Sequence, residues 1–193
     1  MVKLVHERVK PMHENPLAST LTIPALVSTG PDPDLAEKLH LFGQFVGSWA
    51  LDLTWFQDGQ PVRREAGEWH FAWVLEGRAV QDIWIVPPRE QRGAGNLYEY
   101  GTTIRFYDPT IDAWRSTWHG PMVKCVIPFI GRQVGDEIVL EGRHWQNPDW
   151  PMHWIFSDVT GHAFAWRNMI SQDGGTTWEK VLGFSARRTS PAT

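Results

Sequence analysis

The stretch EAGEWHFAWVLEGRAVQDIWIVP, residues 65–87, restricts the fold more than any other part of the chain. Apolar and polar side chains alternate along both of its arms, the two-residue period of a strand with one buried face. Glu76-Gly77 lies between the arms and suits a two-residue turn, because glycine accepts the positive φ such a turn demands. That turn fixes the register. Leu75 then faces Arg78, Trp73 faces Val80, Phe71 faces Asp82 and Trp69 faces Trp84. Trp69, Phe71, Trp73, Val80, Asp82 and Trp84 share one face; Glu68, His70, Ala72, Gln81 and Ile83 share the other. The aromatic face is the expected interior.

The same period returns in YEYGTTIRFYDPTIDAWRSTWHG, which turns at Asp108-Pro109, and in DEIVLEGRHW, MHWIFSDV, HAFAWRNMIS and TWEKVLGFSARR. Ahead of these, Asp34 is expected to cap a short helix from Leu35 to Phe42, with Leu35, Leu39 and Phe42 at helical spacing and Gly43 or Gly47 ending it. The fold expected is all-β: an antiparallel up-and-down barrel of about nine or ten strands with one short N-terminal helix, closed so that no edge is left. Residues 34–190 form this single domain. Residues 1–33 carry Pro11, Pro16, Pro24, Pro31 and Pro33 and read as an irregular arm, expected to lie on the domain or to reach a second copy and build a homodimer.

The octet Ser171-Gln172-Asp173-Gly174-Gly175-Thr176-Thr177-Trp178 fits Ser-x-Asp-x-Gly-x-Thr-Trp and resembles the Asp-box of sialidases and other β-propellers. Propellers repeat that motif over several blades. Here it occurs once, between two amphipathic strands, where a turn is required. Its expected role is structural: Asp173 accepts turn N–H groups, glycine supplies positive φ, and Trp178 packs beneath. Glycosidase chemistry needs paired carboxylates about a sugar, which the octet does not supply.

The formal charge is −4 without runs of one sign, so neither nucleic acid nor a membrane surface is an expected partner. No apolar run reaches the ~20 residues of a membrane span. The opening residues lack the apolar centre of a signal peptide, so the expected compartment is the cytoplasm. Cys125 is the single cysteine, which excludes an internal disulfide and a cysteine-based zinc site. No His-x-His, His-Glu-x-x-His, Gly-x-Ser-x-Gly, phosphate-loop or dinucleotide pattern occurs, and no metal is expected.

Gly47-x-Trp49 opening the first strand, WVLEGRAV, FYDPTIDAWRSTW and a closing GFSARR together resemble the calycin barrels: lipocalins, fatty-acid-binding proteins and nitrobindin. From about Leu41 to Arg188 the chain is similar to an uncharacterised bacterial family of lipocalin-like domains. The resemblance implies a barrel with an internal site for a small molecule. Nitrobindin-like proteins bind haem through a late histidine. Here the last histidine, His162, precedes the final two strands, and Trp49 runs into Ala50-Leu51-Asp52 rather than a glycine-rich segment. Haem is therefore not expected, nor is another cofactor.

The 12 tryptophans and 9 phenylalanines, against 3 tyrosines, call for a wide aromatic interior or an aromatic-lined pocket. Alternation brings more polar groups to expected inner faces: His144 beyond Ile138, Leu140 and Gly142; Asn168 with Phe164, Trp166 and Ile170; Tyr100 with Thr102, Ile104 and Phe106; Ser116 between Trp114 and Trp118. His119 is placed at the barrel mouth and His153 outside. Gly93-Ala94-Gly95 reads as a loop near that mouth. Asp82 is the most informative residue, because a carboxylate among tryptophans needs a partner or bound water.

Three readings follow. In the first, the barrel binds a small, largely apolar, aromatic or polyketide-like molecule. Trp69, Phe71, Trp73, Trp84, Tyr100, Trp114, Trp118, His119, Trp166 and Asn168 contact it. In the second, the same cavity holds a cofactor-independent cyclase, isomerase, lyase or hydratase, with Asp82 and His144 as acid and base. In the third, the barrel is packed solid and serves as an interaction module.

Overall fold

The computed structural model describes residues 23–93 and 99–190. Most of the proline-rich arm and most of the Gly93–Gly95 loop lie outside the described residues. Two 3-10 turns, Pro24–Leu26 and Pro33–Leu35, lead into helix α1, Ala36–Gly43. Ten strands follow: β1 Gly47–Gln57, β2 Gln60–Val74, β3 Ala79–Val86, β4 Glu99–Asp108, β5 Ala113–Gly120, β6 Cys125–Val134, β7 Glu137–Arg143, β8 Pro151–Ser157, β9 Ala163–Ile170 and β10 Glu179–Ser190. Each pairs antiparallel with its neighbour in sequence, and β10 closes on β1. This is the all-β, up-and-down barrel with one short helix that the alternation implies. The helix begins one residue late: Asp32 caps the 3-10 turn ahead of it, its Oδ1 accepting the Asp34 N–H at 3.0 Å, and Leu35 stands at the N-cap of α1 without a side-chain bond.

The β2–β3 register is the one the turn dictates, with Trp69 opposite Trp84, Phe71 opposite Asp82 and Trp73 opposite Val80. Glu76 and Gly77 both take positive φ, and the Arg78 N–H reaches Leu75 O at 3.1 Å. Gly77 has a second reason to be glycine. A Cβ there would collide with the carbonyl of Gly30, since residues 28–32 cross this turn. The crossing is held by Ser28 N–H to Trp73 O, Asp32 N–H to Gly77 O, and an Arg78–Asp32 ion pair of 2.7 Å.

Strand β6 is the element that the sequence pattern conceals. Pro128 lies in its middle, opposite Thr117 of β5, and proline gives the ladder no N–H. The strand persists because Cys125, Ile127, Phe129 and Gly131 still alternate inward.

The barrel has unlike ends. At the end where α1 enters, Leu39, Phe42 and Phe45 are fully buried and plug the interior. Phe42 meets Trp114 edge-on at 4.8 Å, and Phe45 lies 4.9 Å from both Phe156 and Phe164. Each large apolar side chain buried in this way contributes about 1.5–3 kcal/mol. Trp49 donates its indole N–H to Phe45 O at 2.7 Å, and the Arg188 guanidinium covers its ring at 4.1 Å. Arg188 also donates to the carbonyls of Gln44, Val46 and Gly161, tying the last strand to the helix exit and to the β8–β9 turn.

The Asp-box octet is the β9–β10 turn, at the opposite end. Asp173 accepts the Thr177 N–H at 2.8 Å and the Ser171 hydroxyl at 2.8 Å, while Gly174 and Gly175 take positive φ. Trp178 reaches back to stack on His153 at 4.0 Å, which covers that outward-facing histidine. Hydrogen bonds from the Thr177 N–H and hydroxyl and from Ser171 hold Asp173 down to about 2.

Candidate functional site

Opposite the helix plug the interior opens into a cavity of about 400 Å³. Its walls come from inward positions on nearly every strand. Trp55, Trp69, Trp84, Trp118, Trp145, Trp154 and Trp166 all line it. Trp69 and Trp84 meet edge-on at 5.4 Å, Trp154 lies 5.5 Å from Trp166, and Trp118 lies 5.9 Å from Trp154. The rings hold one another in place, as edge-to-face pairs do. Gly101 creates the room: Trp118 lies against its bare α-carbon, and any Cβ at that position would strike the indole.

The polar groups on the wall are few. Glu99, at the start of β4, accepts the Trp84 indole N–H at 3.1 Å. Burial pushes its carboxyl above the ordinary range, against the Trp84 hydrogen bond and the more distant Arg63. His144 follows β7, its backbone N–H bonded to Trp150 O at 2.9 Å. Its ring lines the cavity with Nδ1 unpartnered, and burial lowers its basicity. Asn168 Oδ1 and the indole N–H groups of Trp69, Trp154 and Trp166 are buried without an oxygen or nitrogen partner. Burial raises the Cys125 thiol, keeping it neutral.

Asp82 does face inward and is fully buried, but it lies beneath the cavity floor. Its Oδ2 lies 2.5 Å from Arg105 Nη1, and its Oδ1 accepts the Thr103 N–H at 3.1 Å. Arg105 is also without exposure, its guanidinium 5.2 Å from the Phe42 ring and 5.5 Å from that of Phe71. Although close, the pair does not complete a well-aligned hydrogen bond. Nε and Nη2 of Arg105 and the hydroxyls of Thr103 and Ser116 likewise have no hydrogen-bond partner. Such a cluster has the polarity to hold internal water.

The candidates named from the sequence therefore divide. Trp69, Trp84, Trp118, Trp166, Asn168 and His144 share the cavity wall. Phe71, Trp73 and Trp114 point inward but pack at the plugged end; Trp73 lies on Gly43 and Trp114 on Phe42. Tyr100 and His119 correct the expectation. Strand β4 turns Glu99, Gly101, Thr103, Arg105 and Tyr107 inward, so Tyr100, 40% exposed, is not on the inner face expected for it, yet it still lines the cavity at its mouth. His119 is exposed, in an outer concavity with Ile83, Thr102 and Val126. Glu99, Trp55 and Trp154 are cavity residues that the sequence reading did not select. Alternation through the outward His153 places Trp154 inside, and the spacing Glu99–Thr103–Arg105 would have followed from seeking a partner for Asp82.

A second, larger concavity of about 990 Å³ lies along α1, between residues such as Lys38, Gln44, Asp112 and Arg132. Its charged groups are partly spent on each other, as in the Lys38–Asp112 pair of 2.9 Å. The aromatic-lined cavity inside the barrel is the better candidate site.

No family model and no curated protein sequence matches the chain. Among solved structures it is similar to the S-type phycobiliprotein lyase CPES from Guillardia theta, at 11% identity and a TM-score of 0.49. The match covers 78% of this chain and 92% of that one. Among the described residues, no helix is long and apolar enough to cross a membrane.

Proposed function

We propose that this barrel binds a small, largely apolar molecule with a flat ring system in its open-end cavity. The supporting observation is a cavity of about 400 Å³ lined by seven tryptophans, Trp55, Trp69, Trp84, Trp118, Trp145, Trp154 and Trp166. That volume is within the usual range for ligand sites, and a few polar groups in an apolar wall are what orient a ligand. The outer end of β6 allows a paired test. Ile127 faces the cavity, while its neighbour Val126 is 61% exposed on the outside. In calorimetric titration with 2-methylnaphthalene, the wild type is expected to bind one equivalent. Ile127→Trp, which fills the cavity, abolishes binding, and Val126→Trp leaves it unchanged. Equal binding by Ile127→Trp, with its melting intact, contradicts the proposal.

Acid–base turnover of the bound molecule is the second reading. It draws on Glu99 and His144, both on the cavity wall, and takes Glu99 in the place first given to Asp82. Mass spectrometry of a small-molecule extract before and after incubation tests it. Conversion by the wild type that Glu99→Gln and His144→Ala both abolish supports turnover; an extract left unchanged by the wild type argues for binding alone.

A further inference from the structure

We propose that the molecule held in this cavity is an organic cation, a quaternary or tertiary ammonium on an apolar or aromatic body, with Glu99 as its counter-ion. This rests on the binding reading above and adds the ligand's charge. Among the described residues lining the cavity, Glu99 is the carboxylate, and no lysine or arginine is present. The carboxylate accepts one indole N–H, from Trp84, and shares the cavity lining with seven tryptophans. Indole faces are electron-rich and attract cations, more strongly once water is excluded. A carboxylate with one hydrogen bond in such surroundings is completed by a positive charge and opposed by a negative one.

The mouth already shows the same chemistry. Arg63 lays its guanidinium over Trp55, a cavity residue, at 4.2 Å. The charged and titratable groups around Glu99 leave its place as the negative pole unfilled. On β2, Arg63 is paired with Glu65 at 2.7 Å, so the two together add little net charge. On β6, Cys125 remains a neutral thiol. Beyond β7, His144 is kept toward its neutral form by burial. Near the start of β4, Arg92 lies 5.2 Å from the ring of Tyr100 at the cavity rim, a second cation on an aromatic face.

The test is calorimetric titration with three matched probes: 2-naphthyltrimethylammonium, its neutral isostere 2-tert-butylnaphthalene, and 2-naphthoate. In the wild type at pH 7 the ammonium is expected to bind at least about ten-fold more tightly than the neutral probe, and the carboxylate least. Lowering the pH weakens ammonium binding, because protons compete for Glu99, and leaves the neutral probe unaffected. Glu99→Gln removes the about ten-fold preference and leaves the neutral probe within about two-fold. Equal or tighter binding of the neutral or anionic probe overturns the charge assignment while the binding reading stands. No binding by any of the three overturns both. The wild-type comparison is decisive even if Glu99→Gln fails to fold.

Discussion

Asp82 Oδ2 and Arg105 Nη1 lie 2.5 Å apart in a region with no exposure to solvent, meeting diagonally from adjacent strands in which Asp82 stands opposite Thr103 and Arg105 opposite Val80. Two charges so placed cost much to desolvate, and each is stable only while the other is present. Removing one is expected to be severe: Asp82→Ala should lose about 3–5 kcal/mol in urea unfolding. The double change Asp82→Leu with Arg105→Met should recover most of that loss. A double variant no more stable than Asp82→Ala would mean that the pair is not an isolated structural unit.

Glu99 has the opposite character, a carboxyl whose ionised form burial disfavours. Its acidity is weaker in the folded chain than in the unfolded one, so the folded state holds the proton more firmly. Stability is then greatest below the ordinary carboxylate range and declines as the pH rises through the raised value. Thermal melting of Glu99→Gln should match the wild type at pH 4 and exceed it at pH 8. A function that needs a buried carboxylate carries this cost. A variant that melts lower at pH 8 would mean that Glu99 already has a full set of partners.

Asp173 shows the reverse sign. Its turn hydrogen bonds hold it at about 2, below the ordinary 3.8, so its contribution is present above that range and lost as the pH falls through about 2. Asp173→Ala should lower the melting temperature by roughly 2–4 °C at neutral pH, the range typical of a lost turn bond in a chain of this size. The difference should vanish near pH 2. A deficit unchanged across that range would separate the turn's stability from this carboxylate.

Arg188 combines a stack on Trp49 with bonds to three carbonyls, a geometry that suits a planar fork and not an ammonium. Arg188→Ala should cost about 3 kcal/mol in chemical denaturation, and Arg188→Lys should recover less than half. Full rescue by lysine would show that charge alone matters.

Much of this architecture is legible in the chain because a two-residue turn and a strong aromatic alternation fix β2 against β3. Strand β4 is misread for a physical reason. In YEYGTTIRFY the apolar votes favour Tyr100, Ile104 and Phe106 as the inner face. The fold chooses the other set, because Arg105 must meet Asp82 and Gly101 must admit Trp118. The choice leaves Phe106 43% exposed and Val126 61% exposed on the outside. Once β4 is turned over, Glu99 enters the cavity and Tyr100 moves to its exposed rim. No local pattern marks depth along the barrel axis, so the sequence does not distinguish Trp114 at the plug from Trp118 at the cavity.

The most direct measurement is the anomalous bromine signal from a crystal soaked in 1-bromonaphthalene. The account predicts one dominant bromine site enclosed by Trp84, Trp118, Trp154 and Trp166. A dominant site instead in the groove along α1 or in the outer hollow beside His119, with the tryptophan chamber unoccupied, would contradict it.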